Sequence, residues 1–530
     1  MNEKEKLHSM EKVYSPCEYP TDDKRHEWKS TLAQFYVTVV ECIFLISLGM
    51  QIVMPTVVVG ALHNKKGDPM ELDDATASWI GSILYICQPA GSVASGFLSE
   101  TFGRKGAMML VNIPFFIGWI LIYYAESVRG LIIATLTMGL GIGFCEAPVA
   151  NYIGEISEPH LRSVFTSMVT AACIFGNTIE MFVGSVFDWR TSALISAIIP
   201  IISLVFFTTI PESPVWLITK GKMEKAQKSL ARLRGSSEPH HVQKEFDDMV
   251  RYTKLSHNLS EDTRGNFDEK VPLDSEHKTM EEASGNWFKE RYKELTNPKL
   301  YLPLRMIFVM FIFTQCAGLA PFKSYLVGVL NKFYFPVESR WILVMTGVMS
   351  FIGSVTTIFI VHLTGKRALT IISMTITTMT IFGLGVYTAY FSHSNDLFLS
   401  LFLITNLAVS FFFNSLGVLN IPWMFLTEIF PVRARGIASG ISAAWSYFVT
   451  FVMTKTYLQM QSVLGLSGMF YLYGLISFCG VIYVYIYMPE TEGKSLERIE
   501  TYFTPNHDPK EKFSIRPRKE KKPAKHTTYA

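Results

Sequence analysis

Asn151–Arg162 reads NYIGEISEPHLR: an apolar run stops at a carboxylate, a proline and an arginine. The same ending returns at Thr427–Gly436, TEIFPVRARG, with the glutamate again seven residues before an arginine (Glu155 and Arg162, Glu428 and Arg435), at an offset of 273 residues from 155 to 428. Two further pairs echo in order: Gly103-Arg104-Lys105 with Gly365-Lys366-Arg367, and Pro211-Glu212 with Pro489-Glu490. Ordered echoes of this kind mark an internal duplication, and duplicated apolar halves are a transporter signature.

The composition agrees. The chain of 530 residues is 49% hydrophobic and 18% charged, with a positive mean hydropathy, whereas an average soluble chain carries about 25% charge. Apolar runs fall near residues 35–59, 79–98, 107–124, 131–153, 164–187 and 192–210, and again near 304–330, 341–363, 369–391, 397–425, 437–457 and 469–488. At about 20 residues per crossing these predict twelve membrane-spanning helices in two bundles of six. The expected organisation is a cytoplasmic tail (1–33), a first bundle (34–210), a cytoplasmic linker (211–300), a second bundle (301–488) and a cytoplasmic basic tail (489–530). In the linker, Ala226, Leu230 and Leu233 of KAQKSLARLRG have helical spacing, so short amphipathic helices are expected there.

Charge sets the expected orientation. Arg104, Lys105, Arg162, Lys366, Arg367, Arg433 and Arg435 share one side with both termini, and the positive-inside rule makes that side cytoplasmic. Asn258-Leu259-Ser260 has the glycosylation pattern but falls on that side, and the Lys/Arg-rich tail 510–525 reads as a solvated segment. The seven cysteines have neither close pairing nor ligand spacing, and act as small apolar residues. No nucleophile or metal constellation is visible, and no glycine-rich phosphate loop follows a strand, which argues against an enzyme. Gly139, Gly141 and Gly143 sit mid-span, where helices pack closely. No cofactor and no nucleic-acid partner are implied.

The motifs GFLSETFGRK (96–105), YIGEISEPHLR (152–162), PESPVWL (211–217), KAQKSLARLRG (225–235), IPWMFLTEIFPVRARG (421–436) and PETEGKSLERIE (489–500) together resemble the sugar porters of the major facilitator superfamily, and are most similar to the insect facilitated trehalose and hexose carriers. The resemblance covers residues 35–503 and implies an alternating-access carrier of a sugar, multi-pass in the plasma membrane. It implies a charge latch of Arg104, Glu155, Arg162 and Glu212 on one half, and of Lys366, Arg367, Glu428, Arg435 and Glu490 on the other. Carboxylate–guanidinium contacts suit a latch physically, being bidentate when closed and hydrated when open.

The resemblance also implies a sugar site near the midplane, where this chain departs from its family. Of the seventh helix's two glutamines only Gln315 remains, after Thr314; Thr170, Ser350 and Ser446 stand where amides are usual, and Trp423 keeps the indole that stacks on a sugar. Tyr325 remains in the aromatic stretch of the outer gate. Among the charges inside spans, Glu41, Glu146, Glu180 and Lys323 stand out. Such groups normally pair or line water; they are the candidates for cavity lining or for proton or ion coupling, with snorkelling the alternative for Glu41, burial beside another helix for Glu146 and a Glu180–Lys323 ion pair for the other two. The position that carries an aspartate in proton-coupled relatives is Gln51, which does not titrate, so facilitated diffusion is expected. A proton symporter, a carrier of a charged organic solute and a non-transporting nutrient sensor are the alternatives. Ala134-Thr135, His362 and Val215 each replace a charged family residue, and an imidazole at 362, titrating near about 6.5 unperturbed, would make the second latch sensitive to pH.

Overall fold

The computed structural model describes residues 24–65, 67, 69–158, 161–235, 242–251, 298–317, 320–331, 333, 337–391, 396–430, 435–492 and 499. Cys17, Lys66, Asp68, the 258–260 sequon, Arg433 and the 510–525 tail lie outside them, as does the side chain of Arg435. The chain divides into two units: residues 1–37 with 211–266, and residues 38–210 with 267–530.

Ten helices among the described residues are long and apolar enough to cross a membrane. One of them, residues 438–487, is two crossings joined at Gly465, whose φ of +70° breaks the helix. The serine-rich helix Asp74–Phe102 adds the twelfth; it packs against the fourth and eleventh crossings, so its small polar residues face protein and not lipid. The fold is thus the expected twelve-helix one. In order the crossings are Lys24–Leu62, Asp74–Phe102, Arg104–Tyr123, Val128–Phe144 with Glu146–Ile156, Arg162–Val186, Trp189–Ser196 with Ile198–Thr209, Pro298–Ala317 with Ala320–Leu330, Ser339–Thr364, Lys366–Tyr390, Leu397–Glu428, and the two halves of Arg435–Tyr487.

Two interruptions follow from proline. Pro148 has no N–H for the carbonyl of Phe144, and the fourth crossing breaks there at Cys145. Ala147, one residue earlier, turns its N–H to Ser95 Oγ on the second crossing (3.2 Å). Pro422 does the same in the tenth, where Asn414–Leu419 widens into a π turn and Asn420 Nδ2 donates to the Ser415 carbonyl (2.7 Å). The glycines of the fourth crossing behave as expected for close packing. A Cβ on Gly143 would stand 2.3 Å from the Gln88 carbonyl oxygen, and one on Gly139 would stand 2.5 Å from that of Leu84.

The smaller unit has its own apolar centre, with Trp216, Leu217, Ala226, Leu230, Val242 and Phe246 buried together. The helix Met223–Leu233 buries the expected Ala226, Leu230 and Leu233. Arg234 closes the unit on Glu245, Nη2 to Oε1 at 2.6 Å and Nε to Oε2 at 3.0 Å.

Candidate functional site

The charged ends of the two bundles are built from the duplicated motifs. In the first, Gly103 separates two helices and Arg104 opens the third crossing. Its guanidinium reaches back to Glu155, with Nη2 at 2.7 Å and Nε at 3.1 Å from Oε1, while Nη1 donates to the Ser99 carbonyl (3.1 Å). Glu155 therefore meets the arginine of another motif. Arg162 opens the fifth crossing with an exposed side chain, and Glu212 lies in the smaller unit, where it accepts the Ser213 N–H (2.9 Å).

In the second bundle Lys366 opens the ninth crossing and its ammonium is divided between Glu428 and Glu492, the latter at 3.1 Å. Glu490 caps the same helix: its oxygens accept the N–H groups of Lys366 and Arg367, each at 3.0 Å, which satisfies orphan donors at a helix start. Arg367 Nη2 donates to the Tyr485 carbonyl (2.6 Å). His362 Nδ1 stands 2.6 Å from Glu492 Oε1. Burial pushes the Glu492 carboxyl up, but the charges and hydrogen bonds of Lys366 and His362 outweigh this and hold it below the usual carboxylate range.

Midway along the crossings, polar groups from both bundles converge. Gln315 Nε2 donates to Ser446 Oγ (3.1 Å), linking the seventh and eleventh crossings. Beside Ser446, Tyr447 donates its phenol to Glu146, at the break in the fourth crossing and in the opposite bundle. The Tyr447 ring lies 5.8 Å from that of Trp423, which in turn meets Phe311 at 5.5 Å. Thr170, Thr314 and Ser350 each donate to a carbonyl of their own helix, those of Thr166 (3.1 Å), Phe311 (3.2 Å) and Thr346 (2.8 Å). Their protons are used, leaving lone pairs to accept from a ligand.

Of the remaining charges, Glu180 does not form the ion pair with Lys323 considered from the sequence. Ser192 and Ser196, one turn apart on the sixth crossing, donate to its two oxygens at 2.7 and 2.6 Å. Lys323 is half-buried. Glu41 is fully buried, and neither of its oxygens has a hydrogen-bond partner among the described residues; a snorkelling side chain would reach water, so that alternative does not hold.

At the end opposite the basic loops the bundles touch. Ser78 Oγ donates to the Lys455 carbonyl and Ser185 Oγ to the Arg340 carbonyl, both at 3.2 Å, and Lys455 Nζ lies 3.7 Å from the Trp79 ring centroid. Tyr325 stacks on Tyr457 (4.8 Å) and donates to the Thr454 carbonyl (3.2 Å).

The profile of the family described as sugar (and other) transporter matches residues 47–503. The chain belongs to that family. It is 27% identical over 487 residues to the facilitated trehalose transporter Tret1 of Drosophila pseudoobscura pseudoobscura, covering 91% of this chain and 52% of the other. With the Polypedilum vanderplanki Tret1 it shares 28% over 444 residues, 83% of this chain and 82% of the other. The chain thus spans about half the length of several curated relatives it matches. Among solved structures it superposes on a major facilitator proton:xylose symporter, XylE, bound to 6-bromo-6-deoxy-D-glucose, with a TM-score of 0.69 at 20% identity, over 90% of this chain and 100% of that one. XylE of E. coli in a partially occluded inward-open form gives 0.66 at 20%, over 88% and 100%.

The sequence reading assigns no role to Tyr447, Glu492, Ser192 or Ser196. Glu492 stood two residues from Glu490, and Tyr447 beside Ser446. A signal existed for each, but only packing chooses which neighbour turns inward.

Proposed function

We propose that the chain carries a sugar across the plasma membrane by facilitated diffusion, the two bundles alternately opening a central site, with both termini in the cytoplasm. The observation that supports this most is the Gln315–Ser446 pair (3.1 Å) next to the Glu146–Tyr447 bond and Trp423. It sets amide, hydroxyl, carboxylate and indole groups from both bundles together within apolar helices. A neutral polyol needs such directed hydrogen bonds and no counter-charge. The trehalose transporters it resembles make a disaccharide the first substrate to try, and glucose the second. The charges of Arg104, Glu155, Arg162, Glu212, Lys366, Arg367, Glu428, Arg435 and Glu490 serve as the latch on the basic side, and Tyr325 as the opposite gate. The role is transport and not catalysis.

The test is uptake of labelled trehalose and glucose by the purified chain in liposomes, with and without an inward proton gradient, alongside Gln315→Ala. Saturable flux that ignores the gradient and is lost in the variant is expected; flux of neither sugar would refute the reading.

A second reading, proton-coupled symport, is favoured by Glu41, a fully buried carboxyl without a hydrogen-bond partner among the described residues, in a fold shared with a proton:xylose symporter. Uptake that rises with the gradient and loses that rise in Glu41→Gln would replace the first reading with this one.

A further inference from the structure

We propose that Tyr447 is a specificity-determining residue that ties the two bundles together by occupying Glu146, so that a substrate must displace its phenol to bind. The inference rests on the transport reading. It begins at the break in the fourth crossing, where Pro148 and the diverted Ala147 N–H leave Glu146 at the start of a new helical segment, not mid-helix. The Glu146 carboxylate is half-buried, and the donor it accepts is the phenol of Tyr447, from the eleventh crossing of the opposite bundle. This bond therefore joins the two bodies that alternating access must separate.

Three features suit it to competition with a ligand. Tyr447 and Glu146 are both half-buried, so the bond lines the site instead of being sealed in the core. The Tyr447 ring is placed by Trp423 at 5.8 Å, and its backbone neighbour Ser446 is tied to Gln315 at 3.1 Å, so the phenol keeps its aim. A carboxylate is satisfied only by donors. A ligand that takes the place of the phenol must therefore present a hydroxyl to Glu146, as a polyol does, and an ether or a methylated sugar at that position cannot. Breaking a partly buried hydrogen bond of this kind opposes ligand binding by about ten-fold in affinity.

Two measurements on the purified full-length chain test this. The first needs no sugar: hydrogen exchange of the amides at 144–147 and 149 in wild type, Tyr447→Phe, Glu146→Gln and the double variant. Each single variant is expected to exchange about ten-fold faster, and the double variant no faster than either. The second is binding of trehalose and glucose, followed by tryptophan fluorescence because Trp423 abuts Tyr447. Tyr447→Phe is expected to tighten binding about ten-fold, and by less than about two-fold when Glu146→Gln is also present, because the competition is then gone. Unchanged exchange in Tyr447→Phe overturns the clasp whatever the sugars do. Weaker sugar binding in Tyr447→Phe also overturns it, since the phenol would then be a sugar ligand and not a competitor. Faster exchange with no sugar binding in any variant supports the clasp and refutes the sugar reading instead.

Discussion

The charged ends of the two bundles come from the same duplicated motifs and are wired differently. At Arg104 one forked guanidinium grips one carboxylate, while at Lys366 a point-like ammonium is divided between Glu428 and Glu492. Arginine fixes direction through its fork; lysine offers charge without a preferred plane. The first end is thus held through an oriented, two-armed contact, and the second through carboxylates that share one charge. The two ends thus share their motif and differ in the group that carries the positive charge.

The largest difference should appear at the two glycines. Gly103 and Gly365 have φ of +88° and +82°, and both are followed by an extended ψ that a side chain rarely accepts. At Gly365 a Cβ would also stand 2.5 Å from Glu490 Oε2, the cap of the ninth crossing. Both alanine variants should lose about 1–3 kcal/mol to backbone strain, and Gly365→Ala about 1–2 kcal/mol more from the displaced cap. Heat-induced unfolding in detergent reads this, and equal midpoints for the two variants would erase the contrast. Glu490→Ala should reproduce the extra loss without the strain.

Next in size is the removal of single carboxylates. Glu155→Gln should slow uptake about ten-fold, because a neutral amide cannot hold both arms of Arg104. Glu428→Gln should slow it only about two-fold, since Glu492 still holds Lys366, and the Glu428→Gln, Glu492→Gln double variant should fall to the level of Glu155→Gln. A single Glu428→Gln change as severe as Glu155→Gln would show that the second end has no such reserve.

A smaller effect follows from acid. The Glu492 carboxyl is held below its ordinary value in the folded chain, so its contribution is present above that ordinary value and is lost as pH falls through the lower folded one. Heat stability should decline less steeply between pH 5 and 3 in Glu492→Gln than in wild type, and parallel curves would remove Glu492 from the balance. The smallest change is His362→Gln, whose partly exposed contact with Glu492 is worth at most about 1 kcal/mol. It should lower the heat-unfolding midpoint less than Glu492→Gln does, and an equal drop would show that the imidazole carries most of that contact.

Much of this architecture can be read before folding. The crossings announce themselves because lipid demands long apolar runs, and only Asp74–Phe102 falls short, since protein covers its serines. Positions such as Arg104, Glu155, Lys366 and Gln315 stand out because charge and amide groups are scarce within or beside such runs. Pairing is less legible. Glu155 lies seven residues from Arg162 yet bonds Arg104, and Glu180 takes two serines where a lysine was considered. Long charged side chains have several partners in reach, and the choice depends on helix rotations that no periodicity encodes. Tyr447 is illegible in the sequence for a related reason: an aromatic residue in an apolar helix carries no mark, and only the fold sets a carboxylate from the other bundle against it.

The contact of the second and fourth crossings has a consequence for inheritance. Gly91 and Gly143 meet backbone to backbone, and a Cβ on Gly143 would lie 2.8 Å from the Gly91 Cα. Glycine is the one residue without a side chain, so every coding change at these sites adds atoms where there is no room. Most positions in a lipid-facing helix can drift among apolar residues for long periods. These codons have no neighbouring harmless alternative, and a lineage that keeps this fold should carry them unchanged while the helices around them diverge.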